Sequence, residues 1–260
     1  MIRGVAVTVP AADEEERMAR CLGSIAVAAR VLQARTGIPA RVIVALDSCH
    51  DRTAAVCADF PGVSTVTLAR RNAGAARRAA ATVALARSGR PGELWLASTD
   101  ADSQVPADWL AGMIAESRRG TDLVLGTVLP GPDLSPAVRS RWLSRQHLRD
   151  GHPHVHGANL GIRDSAYAAI GGWQPLASGE DAELARRAAV AGWLAISRTA
   201  AIPVVTSVRR DGRAPGGFSS YLRALGEPAA TSALAAGPRG TWRPLSGRGL
   251  ARSRGEKACA

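Results

Sequence analysis

Two aspartates one residue apart, Asp100 and Asp102, stand in Ser98-Thr99-Asp100-Ala101-Asp102-Ser103, directly after an apolar run. Carboxylates so spaced in a loop can aim oxygens at one hard divalent cation, which keeps waters and takes phosphate oxygens as well. A capped turn would use the same side chains for backbone hydrogen bonds; the place after an apolar run, in line with Asp47, favours the cation. Downstream, Ser178-Gly179-Glu180-Asp181 opens a helix. Acidic residues there suit the helix dipole, and a carboxylate on such a turn can equally act as general base.

Basic and imidazole groups form a second set. Arg77 projects one turn into a helix that Asn72 can cap, where a guanidinium either reaches a base or phosphate or lies on a solvated face. Arg209, Arg210 and Arg213 share a Gly-containing loop that either closes over a diphosphate or is solvated. His152, His154 and His156 alternate, so an extended segment would put all three on one face. A zinc site usually needs a further ligand, and a single histidine beside a metal or an acceptor is the simpler expectation.

The elements that must position these groups alternate along the chain. Val5–Val9 reads as a buried strand stopped by Pro10, and Met18, Cys21, Leu22, Ile25, Ala29 and Leu32 recur at helical spacing until Gly37-Ile38-Pro39. Strands follow over Arg41–Leu46, Val63–Leu68 and Glu93–Ser98, with helices over Arg52–Phe60 and Ala73–Arg87 between them. Such alternation of continuous apolar strands with helices predicts a mostly parallel sheet covered on both faces, and ligands then sit outside the carboxyl ends of the strands. The second half reads as helices over Trp109–Arg118, Arg139–Arg149 and Glu180–Ala191. A strand is expected over Asp122–Leu129, and short apolar runs at Ala158–Ile162 and Ala195–Val205.

Composition narrows the class. The 260 residues are 46% hydrophobic and 21% charged, enough for a sizeable core and too apolar for wholesale disorder. No stretch approaches the roughly 18 consecutive apolar residues of a membrane span, and the N-terminus does not read as a signal peptide. The four cysteines (Cys21, Cys49, Cys57, Cys259) have no metal-finger spacing, so reduced thiols and a cytoplasmic location are expected. The net charge is +11, yet every basic residue except Lys257 is arginine, and Gly237–Ala260 holds six basic residues against one acidic. We therefore expect one folded domain over residues 1–225. Residues 226–260 read as a flexible basic tail able to touch an anionic membrane surface.

Taken in order, the motifs resemble a family-2 glycosyltransferase of the GT-A fold. "VTVPAADEEERMARCLGSI" resembles that family's first strand and helix, "VIVALDSCHDRT" its nucleotide loop, "RRNAGAARRAA" its third-helix entry and "STDADSQVPADWL" its D-x-D loop. "HGANLGIRDSAYAAIGGW" is similar to its acceptor-side segment, and "GEDAELARRAAVAGW" to the segment with the catalytic base. The resemblance implies an α/β/α three-layer fold, a nucleotide-diphosphate sugar as donor, and Mg2+ or Mn2+ as cofactor, and it makes residues 1–225 one catalytic domain with a nucleotide-binding part to about 105 and an acceptor part from 106. It puts Pro10, Asp47 and Arg77 in the nucleotide pocket, with Asp100 near ribose and sugar and Asp102 on the metal. Arg209, Arg210 and Arg213 fall to the diphosphate. Asp181 becomes the base with Glu180 beside it, and Ala158, Asn159, His156 and Trp173 form the acceptor side.

Departures from the pattern bear on specificity. Asp13 stands where the family usually has Asn, and Ser48-Cys49 replaces the commoner Gly-Ser. The Q-x-x-R-W motif of processive synthases is missing, which points to transfer of one sugar instead of polymerisation; the resemblance itself implies inversion and a small-molecule or lipid-linked acceptor. The alternatives are a retaining transferase on the same fold, a sugar-phosphate nucleotidyltransferase and a nucleic-acid-binding module. The nucleotidyltransferase would want a Gly-rich basic loop where Ala11-Ala12-Asp13-Glu14-Glu15 stands. The nucleic-acid module lacks any helix-turn-helix or RNA-binding signature, and aromatic residues are only 4%.

Overall fold

The computed structural model describes residues 1–208 and Ala224. In chain order its elements are β1 (Gly4–Ala11), α1 (Glu15–Thr36), β2 (Ala40–Asp47), α2 (Thr53–Ala58), β3 (Val63–Leu68), α3 (Ala73–Ala86), β4 (Leu94–Ser98) and β5 (Ser103–Gln104). Then come α4 (Trp109–Arg118), β6 (Leu123–Pro130), α5 (Pro136–Leu143), a 3-10 turn (Gly157–Asn159), β7 (Leu160–Arg163), α6 (Asp164–Ala169), α7 (Glu180–Ala191) and β8 (Ile196–Thr206). The eight strands form one sheet in the order β3-β2-β1-β4-β7-β6-β8-β5. β1 to β4 are mutually parallel, β7 runs antiparallel to β4 and β6, and β8 is parallel to β6.

Side-chain alternation along the strands builds two cores. Val5, Val7 and Val9 of β1 and Trp95 and Ala97 of β4 face α1 and α4. Ala6, Leu94 and Leu96 face the other way, toward α3, α6 and α7. The result is the three-layer α/β/α arrangement expected from buried parallel strands. Close approach between layers requires glycine at two sites: a Cβ on Gly161 would lie 2.8 Å from Met113 Sδ, and one on Gly126 would strike the Asn159 side chain.

The observed boundaries differ from the sequence pattern in three places. β1 runs through Pro10 to Ala11, because β4 has already ended at the level of Thr8 and Pro10's nitrogen faces that vacated side while its partner strand β2 continues. The helix expected over Arg139–Arg149 instead begins at Pro136 and ends at Leu143; Pro at the first helical position fixes its start. β5 has only two residues and exists through pairing with the end of β8, Ser103 opposite Thr206.

Candidate active site

The carboxyl ends of β1, β2 and β4 carry the polar loops, and the structure shows what each side chain touches. Asp47, 3% exposed at the end of β2, spends its carboxylate on the loop before α3. Its oxygens accept the backbone N–H groups of Arg70 (2.7 Å), Arg71 (2.9 Å) and Asn72 (2.7 Å). Burial pushes its pKa up, but those three N–H groups with the Ser48 hydroxyl outweigh it and hold the carboxyl below its ordinary range. Asn72 in turn caps α3 by accepting from Ala75 N at 2.8 Å. Asp47 therefore shapes the entry to the helix that carries Arg77.

The acidic run after β1 is laced to the loop after β2. Asp13, at φ 50°, accepts the N–H of His50 (2.6 Å) and of Asp51, and Glu14 N donates to Thr53 Oγ1 at 2.7 Å. Glu15 N donates to Asp51 Oδ2, and Glu15 Oε2 accepts from Arg52 N. These carboxylates hold two loops in register behind Pro10, which is half-buried at the end of β1.

Arg77 is the junction of the site. It lies neither on a solvated helix face nor out toward a ligand; it is 3% exposed, and four elements converge on its guanidinium. Nε donates to Glu180 Oε1 at 3.0 Å at the start of α7, Nη1 to Ser98 Oγ at 2.5 Å at the end of β4, and Nη1 also to the Gly157 carbonyl at 3.1 Å. Nη2 donates to Asp100 Oδ1 at 2.5 Å. The Trp173 ring covers it, with Cζ 5.4 Å from the ring centroid, a cation–π contact. Burial opposes the positive charge, and Asp100, Glu180 and Asp181 together more than restore it, so Arg77 stays protonated. Trp173 is itself 2% exposed, so the surface expected to meet an acceptor is instead packed against this cation.

Asp181 sits beside this network. Its Oδ2 accepts the Gly157 N–H at 2.7 Å and its Oδ1 the Ala182 N–H at 2.7 Å. Burial and the neighbouring Glu180 raise its pKa above the ordinary carboxylate value, against the opposing pull of Arg77 and the two N–H groups. A carboxylate of raised basicity, oriented by two backbone donors, is suited to proton abstraction. Gly157 thus serves both sides, its carbonyl on Arg77 and its N–H on Asp181; a Cβ there would collide with the guanidinium.

Asp102 is anchored where β8 ends. Its Oδ2 accepts from Ser207 Oγ at 2.6 Å, its Oδ1 from Thr206 Oγ1 at 3.3 Å and Ser103 Oγ at 3.4 Å, and its carbonyl accepts Ser207 N–H. Asp100 commits Oδ1 to Arg77 and leaves Oδ2, on a side chain 36% exposed, without a protein partner among the described residues. Among those residues no three His, Cys, Asp or Glu groups converge as a full protein-borne metal cage. Two carboxylates from the described residues fit an oxygen-seeking Mg2+ or Mn2+ that completes its shell with water and phosphate.

The acceptor-side residues divide. Asn159 is wholly buried, and its amide bonds inward to Trp109 Nε1 (2.9 Å) and the carbonyls of Thr127 and Ile202 (2.8 Å each). Its side chain therefore braces the 3-10 turn from behind instead of lining an acceptor wall. Ala158 is 6% exposed on the same turn. His156 precedes that turn in a column of stacked rings: His152 to His154 is 5.6 Å and His154 to His156 5.8 Å between centroids, with His147 6.4 Å from His154. Stacked faces do not converge on a metal. Burial, then the adjacent imidazoles, press the His156 pKa down to about 3, so it is neutral at ordinary pH. Arg209, Arg210 and Arg213, with the basic tail, lie outside the described residues.

Ser98, Gly157, Thr206 and Ser207 were not singled out by residue type, yet they tie the aspartates and Arg77 in place. Only Ser98, as the last residue of a strand, had a local signal. Cys21, Cys49 and Cys57 are in no disulfide.

Residues 6–170, more than half of the chain, match Glycosyl transferase family 2. A search of curated protein sequences finds no match. Among solved structures, S. aureus TarS 1-349 shares the fold at TM-score 0.57 and 14% identity, covering 80% of this chain; the chain spans only 61% of that structure's length. The mannosyltransferase PcManGT from Pyrobaculum calidifontis, in complex with GDP-Man and Mn2+, aligns at TM-score 0.57 and 20% identity over 85% of this chain and 68% of its own. Glucosyl-3-phosphoglycerate synthase from Mycobacterium tuberculosis, in complex with Mn2+, UDP and phosphoglyceric acid, aligns at TM-score 0.51 and 18% identity over 86% and 77%.

Proposed function

The chain belongs to glycosyl transferase family 2, and from that premise we propose that it moves one sugar from a nucleotide-diphosphate sugar to an acceptor hydroxyl with inversion. The observation that carries this reading is the Asp181 carboxylate, held by the Gly157 N–H one residue from a Glu180–Arg77–Asp100 chain that reaches the D-x-D loop. One guanidinium thereby sets the relative position of a base and a donor-binding loop that lie 81 residues apart in sequence.

In this reading the donor lies along the carboxyl ends of β1, β2 and β4. Pro10 and the loop shaped by Asp47 border the nucleotide. Asp102 and Asp100 would hold the divalent cation, which would supply charge neutralisation for the departing diphosphate. Arg209, Arg210 and Arg213 are assigned to the same diphosphate. Asp181 accepts the proton of the acceptor hydroxyl as its oxygen attacks the anomeric carbon; the C–O bond to the nucleotide breaks on the opposite face. Glu180 is occupied by Arg77 and acts on geometry, not as a second base. Neutral His156 and the Ala158 turn border the acceptor. The solved structures of this fold in complex with Mn2+ and with UDP or GDP-Man support the donor class and the metal.

No helix among the described residues is long and apolar enough to cross a membrane; the basic tail is the segment we assign to contact with an anionic surface if the acceptor is lipid-linked. Proton NMR of the first product formed tests the stereochemistry. An α-linked donor should give a β-linked product, whereas an α-linked product would reassign Asp181 and favour a retaining course.

A further inference from the structure

At the amino ends of β1, β2 and β4, across the sheet from the D-x-D loop, lies a cleft of about 400 Å³. Its walls include Arg3, Arg41, Arg87, Ser88, Gly89 and Glu93, three guanidiniums against one carboxylate. Glu93 is paired with Arg3 at 3.2 Å. Neither Arg41 nor Arg87 has a carboxylate partner among the described residues. Arg41 donates to the last carbonyls of α3, Ala84 O (2.9 Å) and Arg87 O (3.0 Å), which accounts for it as a helix cap. Arg87 is exposed, and its guanidinium donates to one neutral group, Ser64 Oγ at 3.1 Å. Two like charges are thus held close beside a cleft, with only neutral acceptors. Burial first, and then the nearby Arg87 charge, press the Arg41 pKa below its ordinary value.

We propose that this cleft binds a small phosphorylated compound carrying two or more negative charges, at a site separate from the donor cleft. The volume lies in the range of small-ligand sites, and forked guanidinium donors match phosphate oxygens two at a time. A dianion would neutralise the pair that the protein leaves uncompensated. In open α/β sheets substrates bind at the carboxyl ends, so a ligand at the amino ends can be held at the same time as the donor.

The test is calorimetric titration of the full chain with inorganic pyrophosphate in EDTA, which removes any metal-dependent binding at the D-x-D loop. Inorganic phosphate serves as the singly phosphorylated comparison and should bind more weakly. Asp102→Ala should leave metal-free pyrophosphate affinity within about twofold, whereas Arg87→Gln should weaken it about tenfold or more, the scale of a lost charged hydrogen bond. Ser88→Glu, which keeps every arginine and adds a carboxylate to the cleft wall, should weaken it similarly, and circular dichroism melts verify that all three variants fold. Absence of binding to the wild-type chain would overturn the proposal. Binding unchanged by both cleft variants, as attachment to the basic tail would give, or binding lost in Asp102→Ala alone, would overturn it as well.

Discussion

Replacing Arg77 with Met keeps most of the side-chain volume and removes the charge on which β4, α3, α7 and the 3-10 turn converge. The two ion pairs weigh unequally. Asp100 is 36% exposed and can turn to solvent, so its share is small, but Glu180 at 8% is left as a buried charge without its partner. Removing one member of a buried pair costs about 3–5 kcal/mol. At roughly 2–4 °C per kcal/mol for a domain of about 200 residues, the melting temperature should fall by something like 6–20 °C. Turnover should fall further than stability implies, because displacement of a catalytic group by about 1 Å can cost about 100-fold. A double-variant cycle with Glu180→Gln isolates the cause by differential scanning calorimetry. If the stranded carboxylate dominates, the double variant melts well above Arg77→Met alone. Equal melting temperatures for wild type and Arg77→Met, or additive losses in the double variant, would refute the argument that Arg77 is the junction.

Three further outcomes follow from the same geometry. Asp102→Ala should abolish Mn2+-dependent binding of a nucleoside diphosphate in calorimetry while leaving the fold intact, since by backbone bonds Thr206 stays joined to β5 and Gly131, and Ser207 to the carbonyl of residue 102. Gly157→Ala should lower both turnover and melting temperature, because the added Cβ displaces Arg77 and loosens the N–H that holds Asp181; activity equal to wild type would contradict that double role. Asp181 has a folded pKa above its ordinary value of 3.8, so its contribution to stability is fully present below that value and is lost as pH rises through the folded pKa. The stability of wild type relative to Asp181→Asn should therefore decline from acid toward neutral pH in paired melts, while turnover of wild type rises through the same window as the base deprotonates.

Much of the framework was legible because its signals are local. The apolar runs of β1, β2 and β4 and the capping residues Asn72 and Gly37 mark buried parallel strands and helix ends without reference to distant partners. β5 was not legible, being two residues that become a strand only against β8, and the antiparallel course of β7 leaves no trace in its own four residues. At the candidate site, Asp100 and Asp102 stand out by type and spacing, whereas only the family resemblance separates Asp181 from the adjacent Glu180. The task of Arg77 could not be read locally: its partners lie 21, 23, 80 and 103 residues away, and an arginine one turn into a helix reads locally as a ligand contact. The inward bonds of Asn159 and the packing of Trp173 on Arg77 are hidden from the sequence for the same reason. Polar and aromatic residues in an acceptor-like segment are indistinguishable, in sequence, from residues that satisfy buried donors behind it.

The central claim is that Asp181 is the base, and its most direct test is the turnover number of Asp181→Asn with donor and acceptor both saturating. The substitution keeps size and removes basicity. The account predicts a loss of about 100-fold or more in turnover, with donor affinity within a few-fold of wild type. Turnover near the wild-type value under those conditions would contradict it.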